Sequence, residues 1–498
     1  MFVKVRLYMF SSWPRFSTIT IAFLCVVLFG TVLRWKLWTV NFEKFVFALS
    51  KNQRLLAPAY KNSENTEEKN KKNSEFQSLY FIHGLTSEAV AWQPVAFDIR
   101  PRATGGVLLA GRTTFWAKAR NELEVLVLDI TRAAGDVYRA SFVPSFGGEY
   151  NITVLLTYVN GEQFNYGSHV ASKLIHIHGS PRILTVESRS APEGITRYCS
   201  QAESGIARGR WVRCGSLGGV DKCGHWQLNM AYDFDKLHGF FWLPYACQLH
   251  QYTNHQMKTC LAKNAWEKIV FTGDSHSRYR TYHWITRLYG RCANCHKTNI
   301  ATRFELVPKV EWVFDARGTR WPASFPSITR PTEIYINSRT RRSMFSHPLP
   351  KSTDNGDLYL LNFGHWLIRE VTFKRFMAEK LRAFVEAVRM RNVSISGAGG
   401  KPRFLWVNTM SLRWRETEAV RNWTMTPAPS VVAYMNSFMD RAMRDGGIQV
   451  VDAFQVSNVR LNAVHDATHY AKVFPNSMCA GAVENAVTNV ILNALCNG

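Results

Sequence analysis

The sequence predicts two fold classes in series. A β-sandwich covers about residues 79–184, and an α/β domain with a mostly parallel sheet and helices on both faces covers about 192–498. One transmembrane helix stands ahead of both. Three observations predict this order: an uncharged apolar run near the N-terminus, then short β-type runs broken by turn residues, then strand-like runs alternating with amphipathic helical stretches. A chain of 498 residues exceeds one ordinary domain, and 46% hydrophobic residues supply material for more than one core.

Residues 1–15 read as a cytosolic tail. Phe16 to Leu33 (FSTITIAFLCVVLFGTVL) is long enough for a short membrane span. It runs directly into Arg34-Trp35-Lys36-Leu37-Trp38 with no small-residue cleavage site, which favours a retained signal anchor over a cleaved signal peptide. The flanking charges (Lys4, Arg6 and Arg15 before, Arg34 and Lys36 after) do not orient it. Cysteines and sequons do. Nine of the ten cysteines fall at 199, 214, 223, 247, 260, 292, 295, 479 and 496, and none lies between 34 and 198. That clustering implies a disulfide-stapled lumenal domain with one thiol left over. The sequons at Asn151, Asn392 and Asn422 fit glycosylation on the same side. The expectation is a single-pass type II protein of the Golgi or another secretory-pathway membrane, its C-terminal domain lumenal. A short span suits the thinner early secretory membranes.

Residues 34–78 form a stem, since Lys61–Lys72 is almost wholly polar and cannot bury enough apolar area to fold. In the sandwich, the runs 107–109, 123–128 and 152–159 are strand candidates, and Asn160-Gly161 after the last is a hairpin signal. Gly147-Gly148-Glu149-Tyr150, placed just before that strand, resembles the tyrosine corner of immunoglobulin-like sandwiches, filamin repeats among them. With no cysteine pair there, the sandwich is disulfide-free and reads as a spacer or glycan-binding module rather than a catalytic one.

In the α/β domain, Lys268–Thr272, Leu358–Leu361, Phe404–Val407 and Gly447–Asp452 are strand candidates. Arg278–Leu288, Val371–Met390 and Ala480–Leu495 are helical. Open α/β sheets carry their sites at the carboxyl ends of strands. Gly273-Asp274-Ser275 stands at such an end and opens a helix, whose N-terminus offers amides and partial positive charge to an oxyanion. Gly273 permits the tight backbone. The plain alternative is that Asp274 and Ser275 only cap the helix. Near the C-terminus, Asp466 precedes His469 by three residues, so one loop can present a base and the carboxylate that fixes its tautomer, with His465 as a competitor. Asn362, at the end of the 358–361 strand, is a candidate second oxyanion donor.

The blocks Trp242-Leu243-Pro244-Tyr245-Ala246-Cys247, Cys260-Leu261, Ile269–Arg278, Asn362-x-Gly364-His365-Trp366 and Asp466-x-x-His469 occur in this order. Together they resemble the PC-esterase branch of the SGNH/GDSL hydrolase superfamily. The likeness covers roughly residues 195–498, and the preceding sandwich is most similar to the neurexophilin-and-PC-esterase arrangement. The branch also includes trichome-birefringence-like polysaccharide O-acetyltransferases and the catalytic domain of sialic acid O-acetyltransferase. The resemblance implies an SGNH-type three-layer α/β/α domain. It implies Ser275 as nucleophile, His469 as base, Asp466 as its partner, Gly273 and Asp274 as shapers of the nucleophile turn, and Asn362, within its Gly364 block, as the oxyanion residue. Trp366 is followed by Leu367 where the plant pattern has a second Trp, so acceptor contacts differ there.

On this reading the chain is a lumenal glycan O-acetyltransferase working through an acetyl-enzyme. Its alternatives are an acetylesterase with the same triad and a non-catalytic glycan-binding or adhesion protein on the same scaffold. No bound cofactor is expected. An acetyl donor, acetyl-CoA or an acylated intermediate, serves as co-substrate, and since one span cannot carry acetyl-CoA across a membrane, a donor-supplying membrane partner is implied. Sixty-one Lys and Arg against thirty-seven Asp and Glu give +24, which favours an acidic glycan or polysaccharide acceptor, although a solvated basic surface explains it equally. With no dense basic run or base-reading motif, nucleic acid is not an expected partner. Cys292-Ala293-Asn294-Cys295-His296 matches a haem attachment pattern, and one CxxC falls short of a zinc site, so these cysteines are read as disulfide members and no metal is expected. Arg278 and Arg280 are read as pairing locally on the helix after the nucleophile rather than holding an acidic substrate.

Overall fold

A computed structural model describes residues 79–102, 113–158, 175–192, 197–216, 239–264, 266, 268–292, 309–314, 357–362, five positions within 381–389, 404–411, 429–461, 469–474 and 478–497. The expected tail, membrane span and stem lie outside the described residues, as do the 107–109 run, the Asn160-Gly161 turn and most of the 371–390 helix. No helix among the described residues is long and apolar enough to cross a membrane.

Among the described residues up to 192, ten strands contribute to the sandwich: β1 (Tyr80–His83), β2 (Glu88–Val90), β3 (Val95–Pro101), β4 (Thr114–Arg120), β5 (Glu124–Val127), β6 (Asp129–Arg132), β7 (Tyr138–Phe142), β8 (Gly148–Tyr158), β9 (Ile175–His176) and β10 (Arg182–Glu187). One sheet has the order β1-β3-β7-β6 and is antiparallel throughout. Alternation directs one face of each strand inward. On β4, Phe115, Ala117 and Ala119 join Phe97, Ile99, Tyr138, Ile152 and Leu184 in the core between the sheets, while Trp116 points the other way and packs with Leu155 and Leu461. The Tyr150 hydroxyl lies 3.0 Å from the Phe146 carbonyl, the upstream backbone contact of a tyrosine corner.

The second sheet does not stop at the sandwich. After α1 (Gln201–Ser204) come β11 (Gly209–Arg213) and β12 (Phe240–Pro244), and the sheet runs β12-β11-β5-β4-β8-β10-β2, with β9 on β8. Trp211 pairs with Val125 and with Trp242 in antiparallel register. Two strands beyond residue 192, where the sequence places α/β structure, therefore extend the sandwich sheet. They bury Trp211, Trp242 and Leu243, and each such side chain stabilises the fold by about 1.5–3 kcal/mol.

The remainder is α2 (Asn254–Lys263), β13 (Lys268–Gly273), α3 (Ser275–Tyr289), β14 (Lys309–Phe314), β15 (Asp357–Leu361), β16 (Phe404–Val407), α4 (Pro429–Asp445), β17 (Gln449–Val451), α5 (Ala453–Asn458), β18 (Lys472–Val473), β19 (Cys479–Ala480) and α6 (Ala482–Cys496). Five of these strands form a sheet in the order β14-β13-β15-β16-β17, every pair parallel. Both faces are buried. Ile269, Phe271, Leu358, Leu360, Leu405 and Val407 share one core with residues of α3 and α6, while Val270, Tyr359, Leu361, Phe404 and Trp406 share another with residues of α4. That double burial is why these strands read as unbroken apolar runs.

The expectation of a mostly parallel sheet needs correction in extent. Among the described strands, parallel ladders are found in these five and in the β2–β10 pair, and the four- and eight-stranded sheets are otherwise antiparallel. The physical reason is the antiparallel pair β11–β12, which bonds to β5 and so extends the sandwich sheet, while its Trp211 and Trp242 pack into the core shared with the α/β layer. The two parts are also joined by side chains. The indoles of Trp116 and Trp211 donate to the carbonyls of Asn458 (3.0 Å) and Val456 (2.9 Å), at the end of α5.

Disulfides Cys199–Cys247 and Cys260–Cys496 close loops of 48 and 236 residues. Cys214 and Cys292 are disulfide-bonded as well, and Cys479 is a free, buried thiol. Disulfides are thus present beside a free thiol, which is consistent with a secreted or lumenal chain, while Cys223 and Cys295 lie outside the described residues.

Candidate active site

In the five-stranded sheet the chain starts at β13, adds β14 on one side, then turns to β15 on the other. The order reverses between β13 and β15, and open α/β sheets form their crevice at the carboxyl ends of such strands. β13 ends at Gly273 and β15 leads into Asn362, so both sequence motifs arrive at this point.

The turn is shaped by close approach. A Cβ on Gly273, whose φ is +150°, would lie 2.1 Å from the Asn362 carbonyl oxygen and 2.4 Å from Ser277 Oγ. Only glycine fits. Asp274 is the N-cap of α3, its carboxylate accepting the His276 amide at 2.9 Å. Burial raises its carboxyl above the usual carboxylate range, opposed by the His276 amide and by the charge of His469. The capping alternative thus holds for Asp274 and leaves Ser275 free for another role. Ser275 is the first residue of α3, half-buried, and its Oγ lies 2.8 Å from Nε2 of His469. Residues 194 apart in sequence are brought into direct hydrogen-bond contact.

Asn362 reaches the turn but is oriented unexpectedly. Its Nδ2 donates to the Val407 carbonyl at 2.7 Å, and its Oδ1 accepts from Ser277 Oγ at 3.4 Å. In this arrangement one amide hydrogen braces β16 against the turn, so only the other can serve an oxyanion. Asp466, Gly364, Asn392 and Asn422 lie outside the described residues, with His465. Asn151 is exposed on β8, as a sequon asparagine must be.

One expectation is overturned here, and two features of α3 are not announced by the sequence. Arg280 does not pair locally on its own helix. It is 2% exposed, and its Nε donates to Glu484 of α6 at 2.6 Å, so it belongs to the core. Tyr279 lies against the His469 ring, centroids 4.4 Å apart. Both positions were reachable from helix periodicity, since Tyr279 follows Ser275 by four and shares its face, whereas Arg280 does not. Third, α3 carries a second buried histidine. His283, pushed down to about 4 by burial and bonded through Nδ1 to the Cys479 carbonyl at 2.9 Å, is structural.

Chemically, the arrangement sets an alcohol against an imidazole at a helix N-terminus, the requirement for a nucleophilic serine. No family model and no curated protein matches this chain. Among solved structures, it is similar to the Lin-41 filamin domain, at 16% identity over 22% of this chain and 94% of that one, with a TM-score of 0.17. It is also similar to a putative glycoside hydrolase from Bacteroides vulgatus, at 9% identity over 72% of this chain and 54% of that one, with a TM-score of 0.18. Likenesses this slight do not bear on function.

Proposed function

We propose that the α/β domain is an SGNH-type PC-esterase domain and that the protein is a membrane-anchored, lumenal glycan O-acetyltransferase. The observation that carries this reading is the 2.8 Å contact between Ser275 Oγ and His469 Nε2 at the switch point of the parallel sheet. His469 takes the Ser275 proton as Oγ attacks the acetyl carbonyl of the donor. The Asp274 carboxylate already caps the His276 amide, so the Ser275 amide at the head of α3 is the donor nearest the developing oxyanion. The imidazolium returns its proton to the leaving group. A sugar hydroxyl then gives its proton to His469 and takes the acetyl group from Ser275, whose leaving Oγ recovers that proton from the imidazolium. Asp466, three residues before His469, is the candidate to hold its Nδ1–H.

The disulfides are consistent with a lumenal setting. The acidic acceptor, the acetyl donor and the donor-supplying partner belong to the proposal on the strength of charge and topology alone. The test is Ser275→Ala in the purified protein, given a labelled acetyl donor and a glycan panel read by mass. Loss of transfer by at least about 10³-fold is expected. Unchanged transfer would refute the nucleophile assignment, and label found only as free acetate would make the protein an esterase.

A further inference from the structure

Ser275 and His469 carry the proposed chemistry, yet the ring lying on the base has no part in it so far. Tyr279 follows Ser275 by one helical turn, which returns it to the nucleophile's side of α3. Its ring centroid is 4.4 Å from that of His469 and the planes are tilted by only 32°, so the imidazole faces the phenol ring rather than its edge. The Tyr279 backbone is tied down from the other side, where Cys479 Sγ donates to its carbonyl at 3.6 Å.

The face of an aromatic ring is the negative part of its quadrupole and attracts a cation, while a neutral imidazole gains little from it. In the proposed transfer the His469 imidazole becomes imidazolium as the Oγ–H bond breaks and the Nε2–H bond forms. The contact therefore strengthens toward the transition state, which is the condition for raising rate rather than merely binding. We propose that Tyr279 is the positioning residue of the base: its ring face holds the His469 imidazole toward Ser275 and stabilises the imidazolium formed there. This rests on the acyl-transfer reading of the same site.

Among the described residues, other charged and titratable groups surround the imidazole and are left unsubstituted in the test. They are Asp274 and His276 of α3, with the His276 ring centroid 5.2 Å from that of His469, and Glu484 of α6, which is paired to Arg280. Arg278 lies over the Tyr279 ring at 5.6 Å. The experiment is the rate at which a fluorophosphonate probe labels Ser275, measured against pH in the full-length protein and in Tyr279→Phe and Tyr279→Leu.

Phe keeps the ring face, so its rate should stay within about twofold. Leu should lower the plateau about tenfold and move the acidic limb to lower pH by roughly half a unit to one unit, because a cation without its ring loses its proton earlier. Tyr279→Trp, with a stronger face, guards against a Leu variant that fails to fold; its acidic limb should move to higher pH. A Leu variant with an unmoved limb, or a Phe variant as slow as Leu, would overturn the proposal. A folded wild-type protein that is not labelled would remove the nucleophile assignment and the ring's role together. That outcome is told apart because every variant is then silent.

Discussion

Among the described residues two arginine–carboxylate pairs are buried, one in the sandwich and one beneath the candidate site, and they are built differently. Arg210 of β11 lies 3.1 Å from Glu124 of β5, both fully buried, across the strand pair that carries the sandwich sheet into the following chain. Glu124 also accepts from the Ser145 amide at 2.6 Å and from the Tyr150 hydroxyl, while the Arg210 guanidinium lies over the rings of Trp92 and Tyr245 at 5.0 and 4.7 Å. Arg280 and Glu484 instead meet in one direct hydrogen bond between α3 and α6, with Met410 Sδ 3.5 Å from the guanidinium. Burial raises both carboxyls above their usual range, and the paired arginine opposes it in each case. The first pair is distributed over a junction of strands. The second concentrates its attraction on the helix that presents Ser275.

That difference predicts different consequences. Removing either carboxylate strands a buried guanidinium, so Glu124→Gln and Glu484→Gln should each destabilise the protein by about 3–5 kcal/mol, read from denaturant midpoints. Their effects on chemistry should diverge. Glu484→Gln should also lower kcat, because α3 loses its anchor one turn beyond the nucleophile, whereas Glu124→Gln should leave the kcat of the folded fraction unchanged. Equal effects of the two on kcat would remove the distinction between junction and site.

The same contrast explains what could be read from sequence. The β8 strand, the tyrosine corner and the apolar runs at β13, β15 and β16 are local signals, a period of two or an unbroken run, and they appear in the structure where the residues imply them. β11 and β12 were not recognised as sandwich strands, because Trp211, Trp242 and Leu243 are buried whichever sheet they join. Only the partner strand β5, more than eighty residues earlier, decides between the two. At the site, Ser275 and His469 were legible as a motif pair. The orientation of Asn362 was not, since it depends on the Val407 carbonyl of a strand that nothing near residue 362 announces. Arg280 was misread for the same reason, its partner being 204 residues away.

A smaller effect involves a third buried acid. Asp440 of α4 accepts from Trp406 Nε1 at 2.8 Å and from Asn408 Nδ2 at 2.9 Å, and Asn408 also donates to Asp452, so two carboxylates share one amide. Burial first, and then the charge of Asp452, push Asp440 up to about 7. A raised carboxyl means that the folded state holds a proton which the unfolded state has released. Its stabilising effect is therefore greatest at low pH and is lost as pH rises toward 7. Between pH 5.5 and 7.5 the loss should be roughly 2 kcal/mol, and Asp440→Asn should remove most of it. Denaturation at the two pH values checks this, and an unchanged pH difference in the variant would assign it to another group. Glu124→Gln, at the sandwich junction, should leave the Asp440 part of the slope in place.

The smallest effect belongs to the tyrosine corner. The Tyr150 hydroxyl serves both the Phe146 carbonyl and the Glu124 carboxylate, so it links the local corner to the ion pair of the junction. Tyr150→Phe keeps the ring in the core and removes only that link. Glu124 retains the Ser145 amide and Arg210, and the Phe146 carbonyl loses the hydroxyl donor without losing its place. A cost of about 1–1.5 kcal/mol follows, well below that of Glu124→Gln, with kcat unchanged. The corner and the carboxylate share the hydroxyl, so the two substitutions should not add. The double variant should be less destabilised than the sum by about 0.5 kcal/mol or more. Strict additivity in a double-mutant cycle would mean that the corner and the ion pair stabilise the sandwich independently, and that the junction gains nothing from Tyr150.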